Sequence, residues 1–418
     1  MGATAADAGL DKSAVLEKKP SPIAQLWQSG STNLTAFTLL VVGIGTERAR
    51  LARHKSELLT LGADCVVMFE DNIGNNSRQV ALAAKRAGLD YVILPTTIPN
   101  PIEAAHYYAC DPRHLASGFV GWLIRQLRPG WIFNYQGHDR LRLPATDIIL
   151  YETVGLATRK PWLLNYGQAY KIAVDSPRIA ECYEVLGFPP EQLETLGSPV
   201  DDVLFEANRD RAALREELLT PLGLRDDRPL VLVAIPPNQF TSPSIEGFEY
   251  DSYEEMLQGW VDALAPLAAR ANILAVKHPR TKVEEVRSFA RAGVPLADAA
   301  TETLLPLCDL YVASISATIR WALALGIPVI NYDCYRYRYG DYVGASGLIE
   351  VEDRASFEHA LQDILDSAGR LDELGRLQTS QAPEWGVVDG RFAARLRELV
   401  NRAAREKSPA STLEPANA

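Results

Sequence analysis

The sequence is poor in cysteine, in methionine and in long apolar runs. Its 418 residues include 5 cysteines and 3 methionines, and the cysteines lie far apart without a C-x-x-C pair. Neither a disulfide framework nor a zinc ribbon is indicated. No apolar run reaches the roughly 18–20 residues that span a bilayer, and the N-terminus lacks the basic start and apolar stretch of a signal peptide. We therefore expect a cytoplasmic chain without a transmembrane segment.

A surplus of positive charge is also absent. Lys and Arg total 42 against 53 Asp and Glu, which gives a formal net charge of −11. The basic residues are scattered among acids, whereas proteins that follow a phosphate backbone concentrate Lys and Arg on one face. The charge balance therefore argues against a nucleic-acid partner, and anionic lipid would repel the chain as a whole.

What the chain does contain is a regular alternation of apolar and amphipathic segments from Phe37 onwards. This pattern is typical of βα units around a buried parallel sheet. At roughly 100–200 residues per domain, it predicts two α/β domains over residues 31–198 and 199–384. An N-terminal tail over residues 1–30 precedes them, and a closing helix with a disordered tail over residues 385–418 follows. The predicted strands are residues 37–43, 65–69, 91–94, 131–133, 171–174, 229–235, 272–276, 310–313 and 328–331.

The first predicted strand ends in a glycine pattern. Gly43 and Gly45 begin a G-x-G-x-x-G sequence, and Glu70 and Asp71 follow the second strand, where an NAD site would place its ribose-binding acid. Arg48 stands where the third glycine belongs. Two interpretations stay open: a tight strand-to-helix turn, which the missing glycine favours, and an NAD-binding protein.

The same two acids are candidates for a general base, in the order Glu70-Asp71-Asn72-Ile73-Gly74. Open α/β sheets bind ligands at the carboxyl ends of their strands. Desolvation in a cleft and repulsion between the two carboxylates would raise one pKa, as a base requires. The alternative is a solvated turn that caps the next helix.

A compact cationic group, Lys277-His278-Pro279-Arg280, follows the strand at residues 272–276. Lys and Arg side chains suit a diphosphate or phosphoester. His278 would hydrogen-bond a leaving phosphate or protonate it. A plain turn histidine is the alternative, and the clustering of three donors favours the functional interpretation.

The strand at residues 310–313 is followed by the serine turn, which we define as residues 314–318. The hydroxyls of Ser314, Ser316 and Thr318, with backbone N–H groups at the start of the next helix, would face an anion. Plain N-capping by Ser314 or Ser316 is the alternative. The combination with His278 one βα unit earlier favours a phosphate site.

The order of these motifs resembles the carboxyl-terminal half of GT-B glycosyltransferases. Lys277-His278-Pro279, the serine turn and the segment over residues 324–333 are similar to the "HP" and serine motifs of bacterial polysialyltransferases, other CMP-sugar transferases and CDP-glycerol glycerophosphotransferases. The resemblance covers about residues 172–392. It implies two Rossmann-like domains whose parallel sheets face a cleft, with the acceptor in the first, the nucleotide donor in the second, and a closing C-terminal helix.

The resemblance also implies an activity, that of an inverting, metal-independent glycosyltransferase of EC class 2.4 with a CMP-ulosonic acid or CDP-linked donor favoured. Asp71 or Glu70 would act as base, while Lys277, His278, Arg280 and the serine turn would bind the donor phosphates. No cofactor is implied, because the nucleotide-sugar is a substrate.

Further residues are assigned more loosely. Asn238 and Gln239, after the first strand of the second domain, would reach the nucleotide base or ribose. Loops over residues 95–101 and 134–140 would line the acceptor side, and His138 in the second loop is a rival base.

The implied partners are a nucleotide-sugar donor and a saccharide or glycoconjugate acceptor, in surface polysaccharide assembly in the cytoplasm, with peripheral contact at the inner membrane as an option. One alternative is an isomerase like the UDP-GlcNAc 2-epimerases, which residues 180–199 also resemble. Two departures bear on it. The acid that often follows the serine motif is replaced around Arg320 and Trp321, and the epimerases' His-Arg-x-Glu-Asn signature is missing.

Overall fold

The computed structural model describes residues 33–95, 98–240 and 247–405. Within these ranges the chain forms two parallel sheets, one antiparallel hairpin and surrounding helices. The predicted N-terminal tail over residues 1–30 and the final tail from residue 406 lie outside the described residues. The domain boundaries at residues 198/199 and 384/385 stay a prediction.

The strands of the described residues are, in chain order, β1 (Cys65–Met68), β2 (Asp90–Ile93), β3 (Ile132–Tyr135), β4 (His138–Leu141), β5 (Lys171–Val174), β6 (Leu193–Thr195), β7 (Leu230–Ile235), β8 (Asn272–Lys277), β9 (Leu296–Ala297), β10 (Leu310–Ala313), β11 (Val329–Tyr332) and β12 (Leu348–Val351).

The helices of the same residues are α1 (Asn33–Thr60), α2 (Ser77–Arg86), α3 (Pro101–Tyr107), α4 (Gly118–Leu127), α5 (Ala145–Val154), α6 (Pro177–Val185), α7 (Pro199–Arg209), α8 (Arg211–Leu219), α9 (Tyr253–Leu264), α10 (Arg287–Arg291), α11 (Thr301–Leu304), α12 (Thr318–Ala324), α13 (Arg354–Asp366), α14 (Arg370–Trp385) and α15 (Phe392–Arg405).

Each parallel sheet is built from βα units. The first has the order β1-β2-β5-β6 and the second the order β12-β11-β10-β7-β8-β9. β7 shows why the second sheet forms: Val231 and Val233 pack in one core cluster, while Leu230 and Leu232 pack in another. Alternate side chains of a strand point to opposite faces, so an unbroken apolar run belongs in a sheet covered on both sides.

The strand predicted at residues 37–43 is wrong, because these residues lie in α1, a helix of 28 residues. A short apolar run does not by itself distinguish a buried strand from a helix. Here Leu40, Ile44, Leu51 and Leu58 recur on one side of the helix and pack in a single cluster with residues of α2 and α5. Helical periodicity therefore decides this segment.

The same helix corrects the glycine pattern at residues 43–48. Gly43 and Gly45 lie inside α1 and not at a strand end. Both interpretations of the pattern, a strand-to-helix turn and an NAD fingerprint, are therefore wrong, since the fingerprint needs a strand, a tight turn and then a helix.

Residues 131–140 also differ from the expectation. The strand predicted at 131–133 and the loop predicted at 134–140 form the antiparallel hairpin β3–β4, separate from both parallel sheets. Gln136 and Gly137 connect the strands with positive φ angles of 51° and 76°, which suits a two-residue hairpin turn. The loop expected at an end of the first sheet is thus a hairpin.

The closing helix predicted at the C-terminus is confirmed. Phe392, Leu399 and Ala403 of α15 pack against Val92 and Ala173 of the first sheet. The chain therefore passes through the second sheet and returns to the first.

A buried cation joins the two sheets. Arg320 of α12 is 3% exposed. Its Nε lies 2.8 Å from Asp175 Oδ2 after β5, and its Nη2 lies 3.0 Å from Asp201 Oδ1 of α7. Ser198 Oγ accepts a further hydrogen bond from Nη2 at 3.1 Å. Arg320 thus occupies the place where the resembled families often carry an acid.

We predict that Gly45→Ala stabilises the protein. Gly45 is in the interior of α1, and an added Cβ meets nothing within 4 Å. Alanine at an exposed helix position should raise the free energy of unfolding by about 0.5–1 kcal/mol. Urea unfolding followed by circular dichroism measures this, and a clear loss of stability would contradict the helical placement.

We predict that Arg320→Met destabilises the protein strongly. The substitution leaves the buried carboxylate of Asp201 and the partly buried carboxylate of Asp175 without their counter-charge, which should lower the free energy of unfolding by about 3–5 kcal/mol. Arg209→Met is the matched control, because Arg209 is an exposed, ion-paired arginine of α7. If both variants unfold at the same urea concentration, Arg320 is not the link between the sheets.

Candidate functional site

The carboxyl ends of three neighbouring strands of the second sheet lie side by side, and we call this row of strand ends the donor edge. β7 lies between β8 and β10, so the carboxyl ends of the outer two are about 10 Å apart, twice the spacing of adjacent strands. His278 follows β8 directly, Asn238 lies just beyond β7, and Ser314 follows β10 directly. The structure thus brings three separate parts of the predicted donor site to the same edge.

The cationic group at this edge presents hydrogen-bond donors. The Arg280 backbone N–H donates to His278 Nδ1 at 3.1 Å. A ring nitrogen that accepts carries no proton, so the neutral ring holds its proton on Nε2. Lys277 and His278 are partly exposed, and Arg280 is exposed. These groups suit an anionic ligand at the end of β8.

The serine turn has a strained backbone. Ile315 has a positive φ of 41°, which is an outlier for a β-branched residue. Its N–H donates to Asn331 Oδ1 at 3.0 Å, and Asn331, at the end of β11, is buried. Strain of this kind persists only where surrounding structure holds it, and it clusters at ligand sites. Sequence reasoning did not single out Asn331.

The three hydroxyls of the serine turn differ in accessibility. Ser314 is buried, with Oγ 3.2 Å from Cys334 Sγ. Ser316 Oγ lies 2.7 Å from Thr318 Oγ1 and accepts the Thr318 N–H at 3.3 Å, and both residues are partly exposed. Ser316 therefore hydrogen-bonds the first N–H group of α12, while Ala317 occupies the N-cap position. Ser316 and Thr318, rather than Ser314, offer hydroxyls to the edge.

A run of tyrosines follows β11 beside this edge. We call Tyr335, Tyr337 and Tyr339 the tyrosine ladder: successive ring centroids are 5.5 and 5.2 Å apart and the rings are nearly parallel. The intervening arginines at 336 and 338 have positive φ angles of 55° and 53°. Asp333 is buried and accepts the N–H groups of residues 337 and 338 at 2.9 and 2.7 Å. Its burial raises the pKa of the Asp333 carboxyl.

The tyrosine ladder contacts one residue of the predicted base-binding pair, Gln239. Tyr337 donates its hydroxyl hydrogen bond to Gln239 Oε1, and Gln239 N–H donates to Tyr335 at 3.3 Å. Asn238 Oδ1 instead accepts the N–H of Phe240 at 3.1 Å. Gln239 therefore belongs to a network that the alternating Tyr-Arg sequence could have indicated.

The side chain of Asp71, which comes shortly after β1, is buried. It is 2% exposed, its Oδ2 lies 3.2 Å from Arg78 Nη1, and Tyr91 donates to the same oxygen at 2.7 Å. A side chain on Gly167 would overlap this carboxylate. Burial raises the pKa of Asp71, while Arg78 and Tyr91 oppose that rise. Asp71 is thus enclosed by its partners.

Glu70 keeps contact with solvent. It is partly exposed, and its carboxylate accepts hydrogen bonds from the amides of Asn75 and, at 3.5 Å, Asn72. The adjacent acids therefore have different environments, and Glu70 is the accessible one. His138 is exposed on the hairpin, and within the described part of the chain no hydrogen bond places it beside either acid.

The two halves of the chain meet at the tyrosine ladder. The ring of His106, from α3, lies 4.6 Å from that of Tyr337, and its Nδ1 is 2.9 Å from the Tyr135 hydroxyl. Asn100 donates to Asp341 Oδ1 at 2.8 Å. Burial lowers the pKa of His106, so its ring is neutral near pH 7. No sequence motif pointed to His106.

Over residues 33–95, 98–240 and 247–405, no group of three or more His, Cys, Asp and Glu side chains could hold a metal ion. In the same part of the chain, no helix combines the length and the apolar character that crossing a membrane requires.

Comparison of the sequence with known protein families finds no match, and neither does comparison with curated proteins. Solved structures do match. A UDP-GlcNAc 2-epimerase from Neisseria meningitidis, bound to UDP-GlcNAc, aligns with a TM-score of 0.50 at 11% identity, over 85% of this chain and 81% of that one. A Listeria monocytogenes protein provisionally assigned as a UDP-N-acetylglucosamine 2-epimerase aligns with a TM-score of 0.52 at 13% identity, over 87% and 80%.

The wall teichoic acid polymerase TagF also aligns, with a TM-score of 0.45 at 13% identity, over 76% of this chain and 69% of that one. At these identities a structural likeness shows the fold alone. The protein has the GT-B fold that its sequence resemblance implied, with two parallel sheets and a closing C-terminal helix.

Proposed function

We propose that the protein is an inverting glycosyltransferase that uses a nucleotide-activated sugar. The observation that carries the proposal is the shared edge of β8, β7 and β10, where His278, Gln239 and the serine turn converge. Cationic side chains and backbone N–H groups in this position suit the diphosphate or phosphoester of a donor. A CMP-ulosonic acid or CDP-linked donor is favoured by the motif resemblance.

In the proposed reaction, Glu70 takes the proton of an acceptor hydroxyl. The acceptor oxygen then bonds to the anomeric carbon as the bond from that carbon to the donor phosphate breaks, with inversion. The electron pair remains on the phosphate. Lys277, Arg280 and the Nε2–H of His278 stabilise this growing negative charge, which is where a transfer reaction gains most from electrostatic support. The step uses no metal or cofactor, since these groups supply the charge.

Glu70 is the preferred base because it is the accessible carboxylate of the pair. Asp71, enclosed by Arg78 and Tyr91, positions the turn that carries Glu70. His138 ranks behind both, since its hairpin lies outside the first parallel sheet. The acceptor would be a saccharide or glycoconjugate, and the setting would be cytoplasmic surface-polysaccharide assembly with peripheral contact at the inner membrane.

An isomerase like the 2-epimerases is the second candidate, favoured by the fold likeness over 85–87% of the chain. Incubation with UDP-GlcNAc in deuterated water separates the two. Deuterium at C2 of the recovered sugar would support the isomerase, and unchanged UDP-GlcNAc would support the transferase.

We predict that CMP or CDP raises the melting temperature of the protein more than UDP or NAD does. A ligand at 100 times its dissociation constant adds about 2.7 kcal/mol to stability. His278→Ala should weaken this binding tenfold or more, because it removes a phosphate donor. His359→Ala, an exposed histidine of α13, is the control and should bind like the unchanged protein. Equal binding by all three would remove His278 from the site.

We predict that Glu70 and Asp71 substitutions have different effects. Glu70→Gln should lower kcat by about 10²–10⁴-fold, the contribution of a general base, with the unfolding transition unchanged. Asp71→Asn should lower the free energy of unfolding by about 3 kcal/mol, because Arg78 loses its buried partner. Initial rates and urea unfolding measure the two effects. Full activity in Glu70→Gln would contradict the proposed base.

A further inference from the structure

Arg142 is a buried cation whose hydrogen-bonding capacity is only partly used by the described residues. It follows β4 directly and is 4% exposed. Its Nη2 donates to Asn72 Oδ1 at 3.2 Å. Its Nε and Nη1 are buried without a hydrogen-bond partner among the described residues. Two of the three guanidinium nitrogens therefore have no hydrogen-bond acceptor among the described residues.

Aromatic rings surround this guanidinium. Its central carbon lies 5.1 Å from the ring centroid of Tyr108 and 5.9 Å from that of Trp162. Tyr108 in turn stacks on His114 at 4.2 Å. Aromatic faces attract a cation but supply no acceptor in the plane of its N–H groups. The rings hold the planar guanidinium fork in place, and the N–H groups in its plane remain for a ligand.

Leaving such a charge without an ionic partner is unfavourable. Buried cations are normally paired with a carboxylate, and an unpaired one costs several kcal/mol. Within the described residues, no ion pair of Arg142 is present alongside its single bond to Asn72. The planar fork matches the two oxygens of a carboxylate or phosphate.

A glycine lies beside the fork. A Cβ on Gly74 would lie 3.6 Å from Arg142 Nη2, 3.4 Å from the Tyr108 hydroxyl and 3.2 Å from Asn72 Oδ1. Gly74 and Asn72 are partly exposed. A side chain larger than glycine at this position would therefore crowd Asn72, Tyr108 and the Nη2 of Arg142 close to the surface.

Other charges near the fork do not neutralise it. Burial lowers the pKa of His114, and the charges of Arg113 and Arg142 act in the same direction. His114 is therefore neutral near pH 7, and its Nδ1 is bound to the Leu141 carbonyl at 2.8 Å. Arg113 is paired with Asp111 at 2.5 Å. Arg142, unlike Arg113, has no carboxylate partner among the described residues.

We propose that Arg142 binds an anionic group, a phosphate or a carboxylate, on the acceptor substrate. Assignment of the anion to the acceptor substrate rests on the proposed function, whereas the anion site itself does not. Asn72 bonds Arg142 through Oδ1 and Glu70 through Nδ2. An acceptor anchored at Arg142 therefore places a neighbouring hydroxyl near the carboxylate of Glu70. The acceptor is then a negatively charged saccharide or glycoconjugate.

The test measures anion binding without any transfer reaction. The full chain carrying His278→Ala, which disables the donor edge, is titrated with methyl phosphate and separately with acetate, at constant ionic strength. Isothermal calorimetry gives the affinity. Addition of Arg142→Lys, and in a second protein Arg142→Met, should weaken binding at least tenfold, since neither side chain forms the planar fork. Arg128→Met is the control, because Arg128 is an exposed arginine paired with Glu152.

The two anions distinguish the ligand's chemistry. Tighter methyl phosphate assigns a phosphorylated acceptor, and tighter acetate assigns a carboxylated one. Binding that survives Arg142→Lys, or no binding of either anion, overturns the proposal and leaves Arg142 as a cation held by aromatic rings and Asn72. If sugar transfer fails but the anion still binds through Arg142, the proposed function is wrong and the anion site stands.

With an active transferase, a second readout applies. Arg142→Lys should raise KM for an anionic acceptor at least tenfold and leave KM for its neutral, esterified form unchanged. Equal effects on both acceptors would contradict recognition of the charge.

Discussion

The buried guanidinium of Arg320 is the interaction on which the relation between the two sheets depends. It bonds Asp175, at the carboxyl end of a first-sheet strand, and Asp201, at the start of α7. A buried ion pair contributes little net stability compared with apolar packing, but loss of one partner is strongly unfavourable. The contact therefore holds one geometry. Since Arg320 sits in the helix that begins at the serine turn, it also fixes that turn relative to the first sheet.

The candidate donor edge follows from this arrangement. The Asn331 side chain accepts the N–H of Ile315, and Arg320 anchors the helix that follows the serine turn, so protein contacts support the unusual backbone at Ile315. The tyrosine ladder extends the same edge towards the first half, where His106 and Asn100 meet it. A preorganised edge of donors is what stabilisation of a leaving phosphate requires, because no reorganisation is then needed during the reaction.

Most of the second sheet was predictable from the sequence. The apolar runs that became β7, β8, β10 and β11 are buried on both faces, and such runs carry a clear signal. The short edge strands β6 and β12 were missed because they are only partly buried and carry polar residues. The segment at 37–43 was misassigned because a short run of mainly apolar residues fits a strand, whereas the full spacing from Leu40 to Leu58 reveals a helix.

The residues of the candidate site also divide into those that the sequence indicated and those that it did not. Contiguous motifs such as the one at His278 were found because neighbouring residues act together. His106, Arg142 and Arg320 were not assigned their roles, since each depends on contacts with distant segments. Asp71 and Glu70 were found as a pair, but only the packing of Gly167 over Asp71 separates the enclosed acid from the accessible one.

We propose that the edge formed by β8, β7 and β10 binds a nucleotide-sugar whose sugar is transferred to an acceptor. Phosphorus NMR of the full chain with CMP-, CDP- and UDP-linked sugars tests it most directly, with and without an anionic oligosaccharide. If the protein is an inverting transferase, we expect release of free CMP or CDP that requires the acceptor, with an inverted anomeric centre in the product. No release with any donor, or conversion of the donor sugar without an acceptor, would contradict it.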